Sequence, residues 1–282
     1  MIRIGLIGAG EVAATYRSAI EAAPNVELTA VVDVDLQAAQ KIAGDLPVFA
    51  DHEAMAREDV CDAVVVLTPP ASHESITVDM LRHGLPVLCE KPFAIEPEAA
   101  RRMAQAAADT GVLLSMASRF RYVEDVIRAR DLVRAGAIGE PKHLENSFTG
   151  VVDMRQRWNA LREISGGGVL IDKGTHSIDI IRYMLGPIAA VAATTGPNLQ
   201  GLDVEDHVTF FARTEHGAQV TVEASWSLHI DRTSFLGLYG TEVAIEVGWK
   251  GSHSEQCRRD VADVWHGVQQ GSRGEGSDPS VR

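Results

Sequence analysis

The first 118 residues alternate two kinds of segment, and this alternation constrains the fold more than any other feature. Five runs, IRIGLIG, VELTAVVD, DAVVVL, PVLCE and VLLSMAS, are apolar along their length rather than at every second position. Strands of that kind have both faces covered, as in a parallel sheet flanked by helices. Between them, EVAATYRSAIEAA, DLQAAQKIAGDL, SHESITVDMLRHG and PEAARRMAQAAADTG carry helical periodicity, the last two closing on glycine. Such strand–helix repetition requires an α/β architecture with a doubly wound parallel sheet.

The pattern changes after one more helical segment, VEDVIRARDLVRAG. PKHLENSFTGVVD, HVTFFARTEHGAQVTVEASWSL, SFLGLYG and TEVAIEV read as antiparallel strands, with a hairpin turn over Thr214–Gln219 centred on His216-Gly217. The sequence therefore predicts a nucleotide-type Rossmann domain over 1–120 and an α+β domain over 121–250, with the boundary near Ser118 to Val123. Residues 251–282 are rich in Gly, Ser and charge and poor in aliphatics, the composition of a disordered tail.

With 282 residues, 45% hydrophobic and 23% charged, the chain can bury a sizeable core. Its net charge of −13 argues against nucleic acid and anionic membrane as partners, because both would repel it. No run is long enough to span a bilayer, and the N-terminal apolar run is too short and too glycine-broken for a signal peptide. The three cysteines, Cys61, Cys89 and Cys257, are scattered without CxxC spacing, which fits a reducing cytoplasm and supplies no zinc framework.

Gly8-x-Gly10-x-x-Ala13 lies directly after a strand and before a helix. The first glycine permits a tight turn, the second a close approach of backbone to pyrophosphate, and Ala13 close helix–strand packing. Asp33 ends the second strand, 23 residues after Gly10, where a carboxylate can bind a ribose hydroxyl. It would repel a 2′-phosphate, and no Arg or Lys follows at once, so NAD is favoured over NADP. Asp35 suits the N-cap of the next helix better than Asp33 does, which leaves Asp33 for the ribose. LTPPASH holds the chain extended at the carboxyl edge of the sheet; Ser72 or His73 can cap the next helix, and for His73 a cofactor contact is equally open.

Two further stretches carry ionisable groups. PVLCEKPFA sets Glu90, Lys91 and Pro92 at a strand end, where the lysine either holds a substrate oxygen or pairs with a neighbouring carboxylate. GGGVLIDKGTHSID places Asp172 and His176 one turn apart if the segment is helical, with Asp179 and Tyr183 continuing the stripe. On that stretch alone, a satisfied core pair is the favoured reading over a proton-transfer device.

Taken in order and spacing, the glycine loop, Asp33, Thr68-Pro69-Pro70 with His73, Glu90-Lys91-Pro92 and GGGVLIDKGTHSID resemble the glucose–fructose oxidoreductase, inositol dehydrogenase and MocA (Gfo/Idh/MocA) family of NAD(P)-dependent oxidoreductases, from residue 1 to about 250. The resemblance implies a Rossmann domain, then a domain with a large, open, mostly antiparallel sheet used in substrate binding and often in oligomerisation, as a homodimer or homotetramer. It implies hydride transfer between NAD(H) and a secondary alcohol or ketone of a sugar or polyol. Lys91, Asp172 and His176 would be catalytic: His176 as general acid/base, Asp172 binding substrate or orienting the imidazole, Lys91 steadying the oxyanion. Gly8, Gly10, Glu11, Val12, Ala13, Asp33, Thr68, Pro69, His73, Glu90 and Lys91 would line the cofactor. Arg121 and Tyr122 fall where the family has an Arg-aromatic pair near the cleft, a structural role being equally open, and Trp158 is either a stacking face for a sugar or a packed indole. Lys173 and Asp179 are read as outside the site.

Family members continue further, with more strands and a C-terminal helix, so the resemblance implies truncation after about residue 250 and an exposed sheet edge. Two rival classes follow from the same residues. One is a non-catalytic dinucleotide-binding redox sensor or inactive truncated member. The other is a metal-dependent enzyme using Asp172 and His176, which two ligands without a nearby Cys or second His serve poorly; the expected metal content is none.

Overall fold

The computed structural model describes residues 1–230 and 232–249; the expectation of a disordered tail over 251–282 lies outside the described residues. The chain divides into two compact units. The first comprises Met1–Ser118, Met154–Thr175 and Gly201–Val204; the second comprises Arg119–Asp153, His176–Gln200 and the described residues from Glu205 on.

The first unit runs β1 (Ile2–Ile7), α1 (Ala13–Ala22), β2 (Val26–Val32), α2 (Leu36–Ala43), β3 (Val48–Phe49), α3 (His52–Arg57), β4 (Ala63–Val66), α4 (His73–Arg82), β5 (Val87–Cys89), α5 (Pro97–Thr110) and β6 (Leu114–Met116). The six strands are parallel, in the order β3-β2-β1-β4-β5-β6. Because successive side chains point to opposite faces, adjacent apolar residues feed two cores. Leu6, Val31 and Val65 pack with Ala13, Ile20, Ala39 and Ala43 on one side. Ile7, Val32, Val66 and Val87 pack with Ile76, Met80, Leu81 and Met103 on the other. This is why the strands read as continuous apolar runs. Strand order reverses between β1 and β4, which opens a crevice beyond their carboxyl ends. Asp35 caps α2 by accepting from the N–H groups of Gln37 and Ala38.

The second unit begins with α6 (Glu124–Arg134) and β7 (Pro141–Phe148). The chain then contributes α7 (Arg162–Ser165) and a π-helical turn at Leu170–Gly174 to the first unit. There follow α8 (Thr175–Leu185), β8 (Ile188–Thr195), β9 (His207–Thr214), β10 (Gln219–Ser225), β11 (Ser234–Gly240) and β12 (Ala244–Gly248). The sheet order is β12-β11-β7-β10-β9-β8, antiparallel except for the parallel pair β7–β10. Burial alternates along β9 and β10: Val208, Phe210, Ala212, Val220, Val222 and Ala224 are buried, whereas Phe211, Arg213 and Gln219 are exposed. The β9–β10 hairpin closes through Thr214 N–H to Ala218 O (2.9 Å) and Gly217 N–H to Thr214 O (3.0 Å). β8 was not legible in the sequence, because this edge strand is exposed on nearly all its residues and shows no apolar alternation.

Candidate active site

Gly8 turns the chain at the end of β1 with φ +106°, a conformation that penalises any Cβ. A Cβ there would also stand 2.8 Å from the Leu67 carbonyl carbon and the Thr68 nitrogen, so glycine is what lets the loops after β1 and β4 touch. Gly10 differs: a Cβ on it would meet no protein atom within 4 Å. No side chain caps α1 behind Val12; the N–H groups of Ala13, Thr15 and Tyr16 turn instead to the carbonyls of Gly10 and Val12. Asp33 leans over this loop, its Oδ2 accepting the Ala9 N–H at 2.7 Å and its Oδ1 the Asp35 N–H at 2.9 Å. Glu11 is exposed and pairs with Arg157 at 3.5 Å. An open backbone cradle, a helix start without a side-chain cap and a fixed carboxylate at a strand end suit a dinucleotide's pyrophosphate and ribose.

Two more loops leave the same edge of the sheet. In the first, Thr68 Oγ1 accepts from the Ser72 hydroxyl at 2.8 Å, and Pro69 is exposed. His73 is fully buried, with Nε2 2.7 Å from Thr68 O and Nδ1 2.9 Å from Pro92 O. Its imidazole thus bridges the Thr-Pro-Pro loop and the Glu-Lys-Pro loop. Burial pushes its pKa below the ordinary value, and the two carbonyl contacts oppose that shift. In the second loop, Glu90 accepts the Tyr16 hydroxyl at Oε1 (2.8 Å) and the Lys91 N–H at Oε2 (2.7 Å). The Lys91–Pro92 peptide is cis.

Lys91 meets Asp172. Its Nζ donates to Asp172 Oδ1 at 2.6 Å and to Asp172 O at 3.2 Å, both side chains being about one-fifth exposed. The glycines ahead of this segment make the approach possible. Gly166 has φ +81°, and a Cβ on it would lie 2.8 Å from Ile95 Cβ, four residues past Lys91. Burial holds the Lys173 ammonium below the usual lysine range; Asp172 opposes this and Lys91 adds to it, so Lys173, read from the sequence as outside the site, feels both charges. Asp172 occupies the π-helical turn, whose wider winding replaces the regular α-helical turn expected between it and His176 in α8.

In the second unit, the His176 ring stands edge-on to Phe120 (centroids 5.0 Å, 78°) and to Phe148 (6.2 Å, 73°). Asp179 is taken by Arg121: Nε donates to Oδ2 at 2.9 Å and Nη2 to Oδ1 at 2.6 Å, with Asp179 10% exposed. The Arg121 guanidinium also lies 5.3 Å from the Tyr183 ring centre. Tyr122 is 80% exposed. In the first unit, Trp158 opens a short 3₁₀ turn and is partly exposed. Sequence reasoning missed Tyr16 and Phe120; the one available signal was a hydroxyl-bearing aromatic, Tyr16, one turn into the helix behind a glycine loop.

Among the described residues no group of three or more His, Cys, Asp or Glu is arranged to hold a metal ion, and no helix is long and apolar enough to cross a membrane. Cys61 and Cys89 are buried free thiols, and burial pushes Cys89 up to about 12.

Comparison with known proteins matches both halves of the chain. Residues 2–118 match the family described as oxidoreductase family, NAD-binding Rossmann fold, and residues 126–246 match the GFO/IDH/MocA C-terminal domain. The 1,5-anhydro-D-fructose reductase of Ensifer adhaerens is 30% identical over 249 residues, covering 86% of this chain and 74% of that protein. The D-glucoside 3-dehydrogenase of Escherichia coli K12 is 29% identical over 265 residues, covering 84% and 74%. The crystal structure of GenD2 from gentamicin A biosynthesis in complex with NAD superposes with a TM-score of 0.77 at 28% identity, covering 90% of this chain and 72% of that one. The fold, the loop that follows β1 and both halves of the sequence lead to one conclusion: the chain belongs to the Gfo/Idh/MocA family of NAD-binding oxidoreductases.

Proposed function

We propose that the protein is an NAD-dependent dehydrogenase or reductase acting on a secondary alcohol or ketone of a sugar or polyol. The observation that carries this reading is the Lys91–Asp172 pair, 2.6 Å apart, at the carboxyl edge of the Rossmann sheet. The cradle at Gly10, the uncapped start of α1 and the Asp33 carboxylate fit an adenosine dinucleotide. When bound, NAD supplies the acceptor or donor of the hydride. Glu11, Val12 and Ala13 frame its phosphates, Asp33 binds its ribose and disfavours a 2′-phosphate, and Thr68, Pro69 and Glu90 border it. His73 serves that edge by holding two of its loops together.

Lys91 presents an ammonium to the substrate oxygen and stabilises negative charge there as the hydroxyl proton leaves. Asp172 orients that ammonium and accepts a substrate hydroxyl. His176, four residues further along, takes and returns the hydroxyl proton, a task suited to an imidazole near neutral pH. Arg121, with its carboxylate partner Asp179, supports the helix that carries His176. Tyr122 and Trp158 offer exposed aromatic surface to a sugar ring.

The same reading makes the protein a homodimer or homotetramer, supported by the outward face of the second sheet, where exposed Phe211 lies beside Ala192 and Thr221. It also places the protein in a reducing cytoplasm, supported by the buried free thiols of Cys61 and Cys89. The test is NADH formation screened over sugars and polyols, repeated with Lys91→Ala and His176→Ala. Turnover by the parent with loss in both variants is expected; variants as fast as the parent would remove these residues from the mechanism.

A further inference from the structure

We infer that Tyr16 is a positioning residue for Lys91, fastening the Glu90 carboxylate to the helix that leaves the glycine loop. The inference rests on the role given to Lys91 above and deepens it.

Tyr16 stands in the first turn of α1, three residues after Ala13. Its hydroxyl donates to Glu90 Oε1 at 2.8 Å, across 74 residues of sequence. The other oxygen of that carboxylate accepts the Lys91 N–H at 2.7 Å, and Lys91 Nζ donates to Asp172 Oδ1 at 2.6 Å. Within the first unit, two hydrogen bonds thus join α1 to the lysine through Glu90, and a third carries the chain on to Asp172. Tyr16, Glu90 and Lys91 are all partly buried, and hydrogen bonds to charged groups are stronger than neutral ones.

The arrangement also solves a chemical problem. Glu90 is the residue next to Lys91, and a carboxylate free to rotate there could swing onto Nζ and compete for its charge. With Oε1 held by the phenol and Oε2 by the amide, Glu90 is kept in place and the ammonium is left to Asp172. Tyr16 therefore acts through Glu90 and does not itself touch reacting atoms.

The test compares the full-length parent with Tyr16→Phe, Glu90→Ala and the double variant. Amide hydrogen exchange at Lys91 is followed without cofactor, NADH affinity by fluorescence, and kcat and KM with the best substrate of the screen. Tyr16→Phe is expected to speed Lys91 exchange by about tenfold, the scale of one hydrogen bond to a charged group, while Val66 and Val87 amides keep their protection. It should lower kcat by about tenfold with KM and NADH affinity held within about twofold, and it should have no further effect once Glu90 is alanine. Unchanged exchange at Lys91, a uniform rise across the sheet, or an undiminished effect in the Glu90→Ala background would overturn the inference. If the parent oxidises none of the compounds, the proposed activity fails while the exchange measurements still decide the place of Tyr16.

Discussion

The two six-stranded sheets are built on opposite plans. In the first, neighbours such as Leu6 and Ile7, or Val31 and Val32, point into different cores, so both faces are closed. In the second, Phe210 is buried and its neighbour Phe211 is 56% exposed, so one face is closed and the other open. A sheet covered on both faces can offer chemistry only at its ends, and Gly8, Thr68 and Lys91 all emerge at its carboxyl edge. A sheet open on one side can offer a surface, and the buried face is then free to hold side chains such as Phe148 against His176. The polar groups buried in each follow suit. His73 links two loops at the first sheet's edge. Asp206, fully buried, collects the N–H groups of Leu199 and Gln200 and the Ser227 hydroxyl, and so pins the loop between β8 and β9.

Several substitutions test that contrast, the severest first. Lys91→Met removes the ammonium at the closed sheet's edge and should lower kcat/KM by about a thousandfold, with the circular dichroism spectrum unchanged. Retained activity would move the chemistry away from that edge. Phe210→Ala should destabilise the second unit by about 3 to 4 kcal/mol in urea unfolding, whereas Phe211→Ser should change stability by less than about 0.5 kcal/mol in dilute solution. Equal losses would mean that the outward face is covered within a single chain. Asp179→Asn breaks the bidentate pair with Arg121 and should cost about 1 to 2 kcal/mol, below a fully buried pair because the Arg121 side chain is 42% exposed.

The smallest effect concerns pH. Burial lowers the His73 pKa from 6.5, so the folded ring takes up a proton less readily than the same ring in the unfolded chain. The unfolded state then binds more protons, and stability rises with pH and falls as pH drops below 6.5. His73→Gln should flatten that part of the stability profile in denaturant titrations at successive pH values; an unchanged slope would assign it to another group.

The alternation of apolar runs and helical periods made β1, β2, β4, β5 and β6 legible, because a strand buried on both faces writes its burial into every residue. The capping role of Asp35 was legible for a similar reason: a carboxylate just before an apolar helical period has few other uses. β8 wrote no such signal, being an edge strand exposed from Ala189 to Thr195, Val191 included. The regular helix read through Asp172 and His176 is interrupted by a π-helical turn at Leu170–Gly174, and no side-chain pattern announces a change in backbone winding. Local order is set by neighbours a few residues apart, and its signature is therefore periodic and readable. The meeting of Lys91 with Asp172, or of Tyr16 with Glu90, joins positions 81 and 74 residues apart. Those distances depend on how closely Gly166 packs on Ile95 and on which strands lie side by side, and only the packed chain establishes either.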